Sequence, residues 1–183
     1  MGEVSPKDML SWDNLIYLAD FILKSGDYHV SLLGGEPLLH PHFSEFIHYL
    51  SKRGIHSSIF TSGITTDKKF KVIKEELSDK NLKYQFICNV NDPAKSPVNE
   101  LTKVHLFLET FGERTNLSFN IYELDFSFDF LFEYIKKYKL KNHIRLGLAH
   151  PIPNQPNHCI PPSDFPKVAE RLSYFYEKFK EED

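Results

Sequence analysis

The chain has 183 residues, 41% of them hydrophobic and 14% aromatic, which is ample apolar material for the core of one domain and sets intrinsic disorder aside. Its 22 basic and 25 acidic residues are interspersed and leave a formal charge of -3, so no positive field draws it onto a nucleic acid backbone or an anionic membrane. No apolar run approaches the roughly 20 residues of a spanning helix, and the opening MGEVSPKDML lacks a secretion signal's basic and apolar regions; a cytoplasmic protein is expected.

Trp12, Leu15, Leu18, Ala19 and Ile22 recur at helical spacing, with Ser11 as N-cap and Gly26 as the stop. Val30 to Leu33 is a short apolar run ending in two glycines, after which Phe43, Phe46, Ile47 and Leu50 restore the helical period as far as Gly54. Ile55, Ser57 and Ile59 alternate toward Thr61-Ser62-Gly63, and Phe70, Ile73 and Leu77 begin another helix. Strands are expected again at Tyr84 to Cys88, Leu117 to Tyr122 and Ile144 to Leu148. The helices that follow them are led by Leu101, Val104 and Phe107, by Leu131 and Ile135, and by Val168, Leu172, Phe175 and Phe179. This alternation predicts an α/β fold of parallel βα units, because parallel strands need crossover connections and helices supply them. The sheet is then open or forms part of a curved barrel wall, and in either case ligands bind at the carboxyl ends of the strands. No linker or internal repeat interrupts the pattern, so residues 1–183 read as a single domain.

The segment Val30-Ser31-Leu32-Leu33-Gly34-Gly35-Glu36-Pro37-Leu38-Leu39 stands at the end of the first strand. Two glycines allow a sharp turn and close approach of backbone to ligand, and Pro37 fixes the exit. Glu36 is expected to project at the working edge of the sheet, where a carboxylate can accept charge-assisted hydrogen bonds from a ligand ammonium group.

This segment resembles the GGEP turn of the radical S-adenosylmethionine (radical SAM) family, in which the turn after the second barrel strand binds the amino group of S-adenosylmethionine. The resemblance extends over an apolar pair, His40-Pro41-His42, a helix to Gly54 and a strand ending Thr61-Ser62-Gly63. Ile144-Arg145-Leu146-Gly147-Leu148-Ala149-His150-Pro151 is similar to the family's sixth strand, whose apolar residues pack near the adenine. The resemblance implies part of a radical SAM-type (β/α)6 barrel whose first strand is missing. It also implies a cofactor site built from Gly34, Gly35, Glu36, Pro37, Thr61, Ser62, Asn89, Asn120 and Leu148. Thr61 and Ser62 stand where the family often reads TNG; Asn89 lies where it places a polar residue near ribose or carboxylate, and Asn91 follows in the same Asn-rich turn. The implied cofactors are S-adenosylmethionine and, in a full-length protein, a [4Fe-4S] cluster. The run of GGEP into HPHF leans toward a peptide or cofactor precursor as substrate.

The family holds its cluster in a CxxxCxxC loop ahead of the first helix, and this chain has only Cys88 and Cys159, far apart in sequence. Met1 to Ser5 is a leader just long enough to reach the first helix, which reads as a longer chain cut short; the alternative is a degenerate member that binds S-adenosylmethionine or a partner without chemistry. In either case the chain as given is expected to be inert. A metal-dependent hydrolase on a similar barrel is a further alternative, because His40-Pro41-His42 imitates an HxH zinc pair. Asp125, Ser127 and Asp129 alternate like a calcium loop but lack its glycine, and Phe126, Phe128 and Phe130 suggest packing instead.

Overall fold

A computed structural model describes residues 9–151 and 159–180; the leader Met1 to Ser5 lies outside the described residues. The Ser11 hydroxyl accepts the Asn14 N–H at 3.3 Å and opens α1 (Trp12–Lys24). Gly26, at φ 77°, turns the chain out of that helix. β1 (His29–Leu32), α2 (Phe43–Lys52), β2 (His56–Thr61), α3 (Asp67–Glu76) and β3 (Tyr84–Asn89) follow. The described chain then continues through α4 (Val98–Phe111), β4 (Thr115–Ile121), α5 (Asp129–Tyr138), β5 (Ile144–Leu148) and α6 (Phe165–Lys180).

The five strands lie in the order β1-β2-β3-β4-β5 and every neighbouring pair is parallel, as the βα alternation predicts. They form a curled half-barrel. The curl brings the Arg145 guanidinium of β5 within 5.3 Å of the Phe60 ring centre on β2. In a flat sheet three strand spacings would separate their backbones by about 14 Å. The strand boundaries depart from the apolar pattern by one or two residues. β4 begins at Thr115, whose register partner is Phe86, and ends before Tyr122; β3 runs on through Asn89, which pairs with Ser118.

The side-chain period of two sends Leu32, Ile59, Phe86, Cys88, Leu117, Phe119 and Ile121 to the convex face, where they meet the helices. Phe86 and Phe107 are both fully buried there and meet edge to face at 5.0 Å. Burying such rings contributes about 2–3 kcal/mol each, and this apolar layer fixes the sheet on its helices. A second cluster of Leu15, Ala19, Phe46, Leu50 and Ile55 docks α1 beside β1.

The opposite parity places polar residues on the concave face. His29 Nε2 lies 2.9 Å from Ser58 Oγ, which also accepts from Gln85 Nε2 at 3.0 Å. The His29 and His56 rings stack at 5.6 Å. The hollow of the half-barrel is therefore wettable and is not part of the apolar core.

Candidate functional site

The carboxyl edge is organised around Glu36. Gly34 takes φ 132°, a conformation open to glycine, and Pro37 starts a single 3-10 turn, Pro37–Leu39, whose Leu38 side chain is fully buried. The turn swings the Glu36 carboxylate across to the end of β2. Oε1 accepts from Thr61 Oγ1 at 2.6 Å and from the Leu38 N–H at 3.2 Å. Oε2 accepts from the Ser62 N–H at 2.9 Å and from Ser62 Oγ at 2.7 Å. A carboxylate has about four lone-pair sites, so four donors saturate it.

This corrects the expectation of a freely projecting carboxylate. Glu36 is partly buried and fastens the Gly-Gly turn to the Thr61-Ser62 rim. Thr61 is buried and also accepts the Gly63 N–H at 2.9 Å, so its hydroxyl supports the rim from beneath. Gly63 takes φ 72° and packs so closely that a Cβ there would lie 3.1 Å from Phe107 Cγ. What the Gly34-Gly35 segment presents outward is main chain; both glycines are exposed, and no atom crowds the space where their Cβ atoms would be.

Beside Ser62 lies a cavity of about 70 Å³, lined by Asn89, Asn91, Glu100 and Tyr134 among others. Asn89 Oδ1 and the Tyr134 hydroxyl are buried without a hydrogen-bond partner. Leaving such atoms unpaired costs about 1–3 kcal/mol each, so their pairing points to a ligand or solvent in the cavity. Burial, followed by the neighbouring Tyr138, Glu133 and Asp92, pushes the Tyr134 hydroxyl up to about 12, which keeps it a neutral donor. Sequence reasoning missed Tyr134 and Glu100. Tyr134 follows Leu131 at helical spacing and reads as core; only its unpartnered hydroxyl marks it out.

Asn120 is exposed on the concave face, and a Cβ on Gly147 would lie 2.6 Å from its Oδ1, so Gly147 makes room for it. No described hydrogen bond joins Asn120 to the Glu36 cluster. Leu148 is the register partner of Ile121 and shares the convex parity of Leu117 and Phe119, opposite to Asn89 and Asn120. The structure thus brings Glu36, Thr61 and Ser62 into direct contact and sets Asn89 beside them. Asn120 stands apart on the concave face, and Leu148 is turned to the other.

The two cysteines do not suit an iron–sulfur cluster. Cys88 is fully buried on the convex face, and burial, reinforced by the Glu36 charge, pushes its thiol far above the usual range. Cys159 is free and half-buried, ahead of α6. The His40 and His42 pair does not form a metal fork. His40 Nε2 lies 3.0 Å from the Leu10 carbonyl and its Nδ1 accepts the His42 N–H at 3.2 Å, while His42 Nδ1 faces Glu45 at 2.9 Å. Among the described residues no three His, Cys, Asp or Glu side chains gather as a metal site. Ser127 bonds Asp129 at 2.9 Å, and Phe126 and Phe128 are buried, so that segment serves packing.

A half-barrel of parallel βα units, with a glycine turn and convergent polar groups at its carboxyl edge, is the architecture in which α/β domains place their ligand sites. Residues 3–84 match the family model described as the Radical SAM superfamily. The match covers the first helix, the GGEP turn and the strand ending Thr61-Ser62, the stretch that carries the resemblance in the sequence. Among solved structures, archaeal TYW1 is similar with a TM-score of 0.53 and 16% identity, over 81% of this chain and 60% of that one. SuiB of Streptococcus suis bound to S-adenosylmethionine is similar with a TM-score of 0.61 and 15% identity, over 89% of this chain and 38% of that one. A second SuiB structure gives 0.63 and 14%, over 91% and 40%. The chain therefore spans between 38% and 60% of the length of these structures. No curated protein matches it by sequence.

Proposed function

We propose that this chain is the S-adenosylmethionine-binding part of a radical SAM enzyme. In its complete form the enzyme would hold a [4Fe-4S] cluster and initiate radical chemistry by reductive cleavage of S-adenosylmethionine. The observation that carries the reading is the Glu36 carboxylate, whose four donors hold the Gly-Gly turn beside the cavity of Ser62 and Asn89. When bound, S-adenosylmethionine supplies the carbon–sulfur bond that the family's chemistry breaks. The chain's own residues bind and orient it: main-chain carbonyls of the Gly34-Gly35 turn accept from its ammonium group, and Glu36 and Pro37 hold that turn in place. Asn89 and Ser62 offer hydrogen bonds to its polar groups, Thr61 braces the rim, and Asn120 stands farther along the same concave face.

The cluster does not fit the residues of this chain, and no step through it is assigned to them. The two unsuitable cysteines also favour a second reading, a module that binds S-adenosylmethionine or a partner without chemistry. Residues 1–183 act as one domain in either reading, with a lean toward a peptide or cofactor precursor as substrate. A cytoplasmic location belongs to the same proposal and is supported by two free thiols, which suit a reducing compartment. No described helix is long and apolar enough to cross a membrane.

Titration of S-adenosylmethionine into the chain, followed by backbone amide resonances, is expected to shift Gly34, Gly35, Ser62 and Asn89. An absence of shifts at these four positions at millimolar ligand rejects the reading. Anaerobic reconstitution with iron and sulfide is expected to give no four-iron species on this chain. A brown product holding four irons per chain would show that the two cysteines suffice.

A further inference from the structure

The concave face carries two cations, Arg145 and Lys141, and no strand carboxylate. His29, His56 and Arg145 occupy inward positions on β1, β2 and β5, and no inward position on any of the five strands is Asp or Glu. Lys141, just before β5, joins the same face by donating to Gln85 Oε1 at 3.3 Å. The field is felt at His56, whose pKa is lowered first by burial and then by the charges of His29, Lys141, Arg114 and Lys83. The chain is net negative, yet its five strands contribute no carboxylate to this face; Glu36 and Glu100 stand at the carboxyl edge above it.

Arg145 is the cation placed to meet a ligand below the rim. The register Asn89–Ser118–Arg145 sets it level with the Asn89 that lines the cavity beside Ser62. Its guanidinium rests 5.3 Å above Phe60, is exposed, and is not paired with a carboxylate among the described residues. An aromatic face holds the planar fork in one orientation while leaving its N–H edge free for bidentate contact with an oxyanion.

We propose that the concave face receives a substrate bearing an oxyanion, carboxylate or phosphate, and that Arg145 binds that group. The inference rests on reading the carboxyl edge as the S-adenosylmethionine site, since that edge opens onto this hollow. A guanidinium on an aromatic ring, with no strand carboxylate beside it, selects anionic substrates and orients them by the charged end.

Inorganic phosphate, and acetate in a parallel series, serve as probes. Each is titrated into the full chain with and without S-adenosylmethionine, and amide resonances of β3 to β5 are followed. Arg145→Gln is expected to weaken phosphate or acetate binding at least five-fold, Arg145→Lys to weaken it less, and Lys52→Gln, on the exposed end of α2, to leave it unchanged. S-adenosylmethionine affinity is expected to be equal in all four proteins. The probe that binds more tightly identifies the oxyanion. Equal probe binding in wild type and Arg145→Gln overturns the proposal, as does equal weakening by Lys52→Gln, which would mean diffuse charge. A parallel loss of S-adenosylmethionine affinity in Arg145→Gln also overturns it, because Arg145 would then hold the cofactor. Failure of the underlying reading shows separately, as missing S-adenosylmethionine shifts at Gly34 and Gly35 whatever phosphate does.

Discussion

Glu36→Gln tests whether the carboxylate is a fastener or an idle acid. Glutamine keeps the length and shape of the side chain but replaces one acceptor oxygen with an amide that donates. Each Glu36 oxygen faces one hydroxyl and one main-chain N–H: Thr61 and Leu38 on one side, Ser62 through both its groups on the other. The hydroxyls can rotate and accept, but the N–H groups cannot, so either orientation of the amide sets donor against donor. The remaining bonds lose their charge assistance. Hydrogen bonds to a charged acceptor contribute about 1.5–3 kcal/mol each and a stranded donor costs about 1–3 kcal/mol, which partial exposure to solvent tempers. A net loss of about 1–3 kcal/mol is expected, or a fall in melting temperature of roughly 2–12 °C for a chain of this size. Urea denaturation with the slope held constant provides the measurement. A freely solvated acid would change stability by less than about 0.5 kcal/mol. A variant as stable as the wild type would therefore refute the fastening role.

Gly147→Ala is expected to displace the Asn120 side chain, since the new Cβ would stand 2.6 Å from Oδ1; an unshifted Asn120 amide resonance would contradict this. With an aromatic disulfide reagent, native protein should expose one fast-reacting thiol, Cys159, while Cys88 reacts only on unfolding, because burial suppresses its thiolate. Two equally fast thiols would show that the convex face is open. Burial lowers the pKa of His56 below its ordinary 6.5, with His29 and nearby cations adding to the effect. The unfolded chain therefore binds the proton more readily, and the stability held above pH 6.5 is lost as pH falls through the lowered folded value. Denaturation at pH 7.5 and 5.5 should show this loss, reduced in His56→Gln; an identical pH response in that variant would remove His56 as a cause.

The βα alternation was legible without coordinates because its signals are local. Ser11 and Gly26 bound α1 through the capping hydrogen bond and positive φ that those residue types favour. The apolar periods of Phe43 to Leu50 and Ile59 to Thr61 announce which faces must be buried. The glycine turn, with Thr61-Ser62 after the next strand, was legible for the same reason, since two glycines and a proline restrict a turn wherever they stand.

The direction of the Glu36 carboxylate was not legible. Thr61 and Ser62 lie 25 and 26 residues away, and only the parallel pairing of β1 with β2 brings their donors to it. Tyr134 and Arg145 were hidden for a related reason. A tyrosine at helical spacing reads as core until its hydroxyl is found buried and unpartnered beside Asn89, and an arginine inside a strand reads as surface until the curl sets it over Phe60. The sequence alone determined the elements, their order and the identity of the turn, because backbone conformation and apolar period are short-range. Only the tertiary structure decided which polar groups spend their hydrogen bonds on the protein and which face the hollow, because that depends on contacts between strands far apart in the chain.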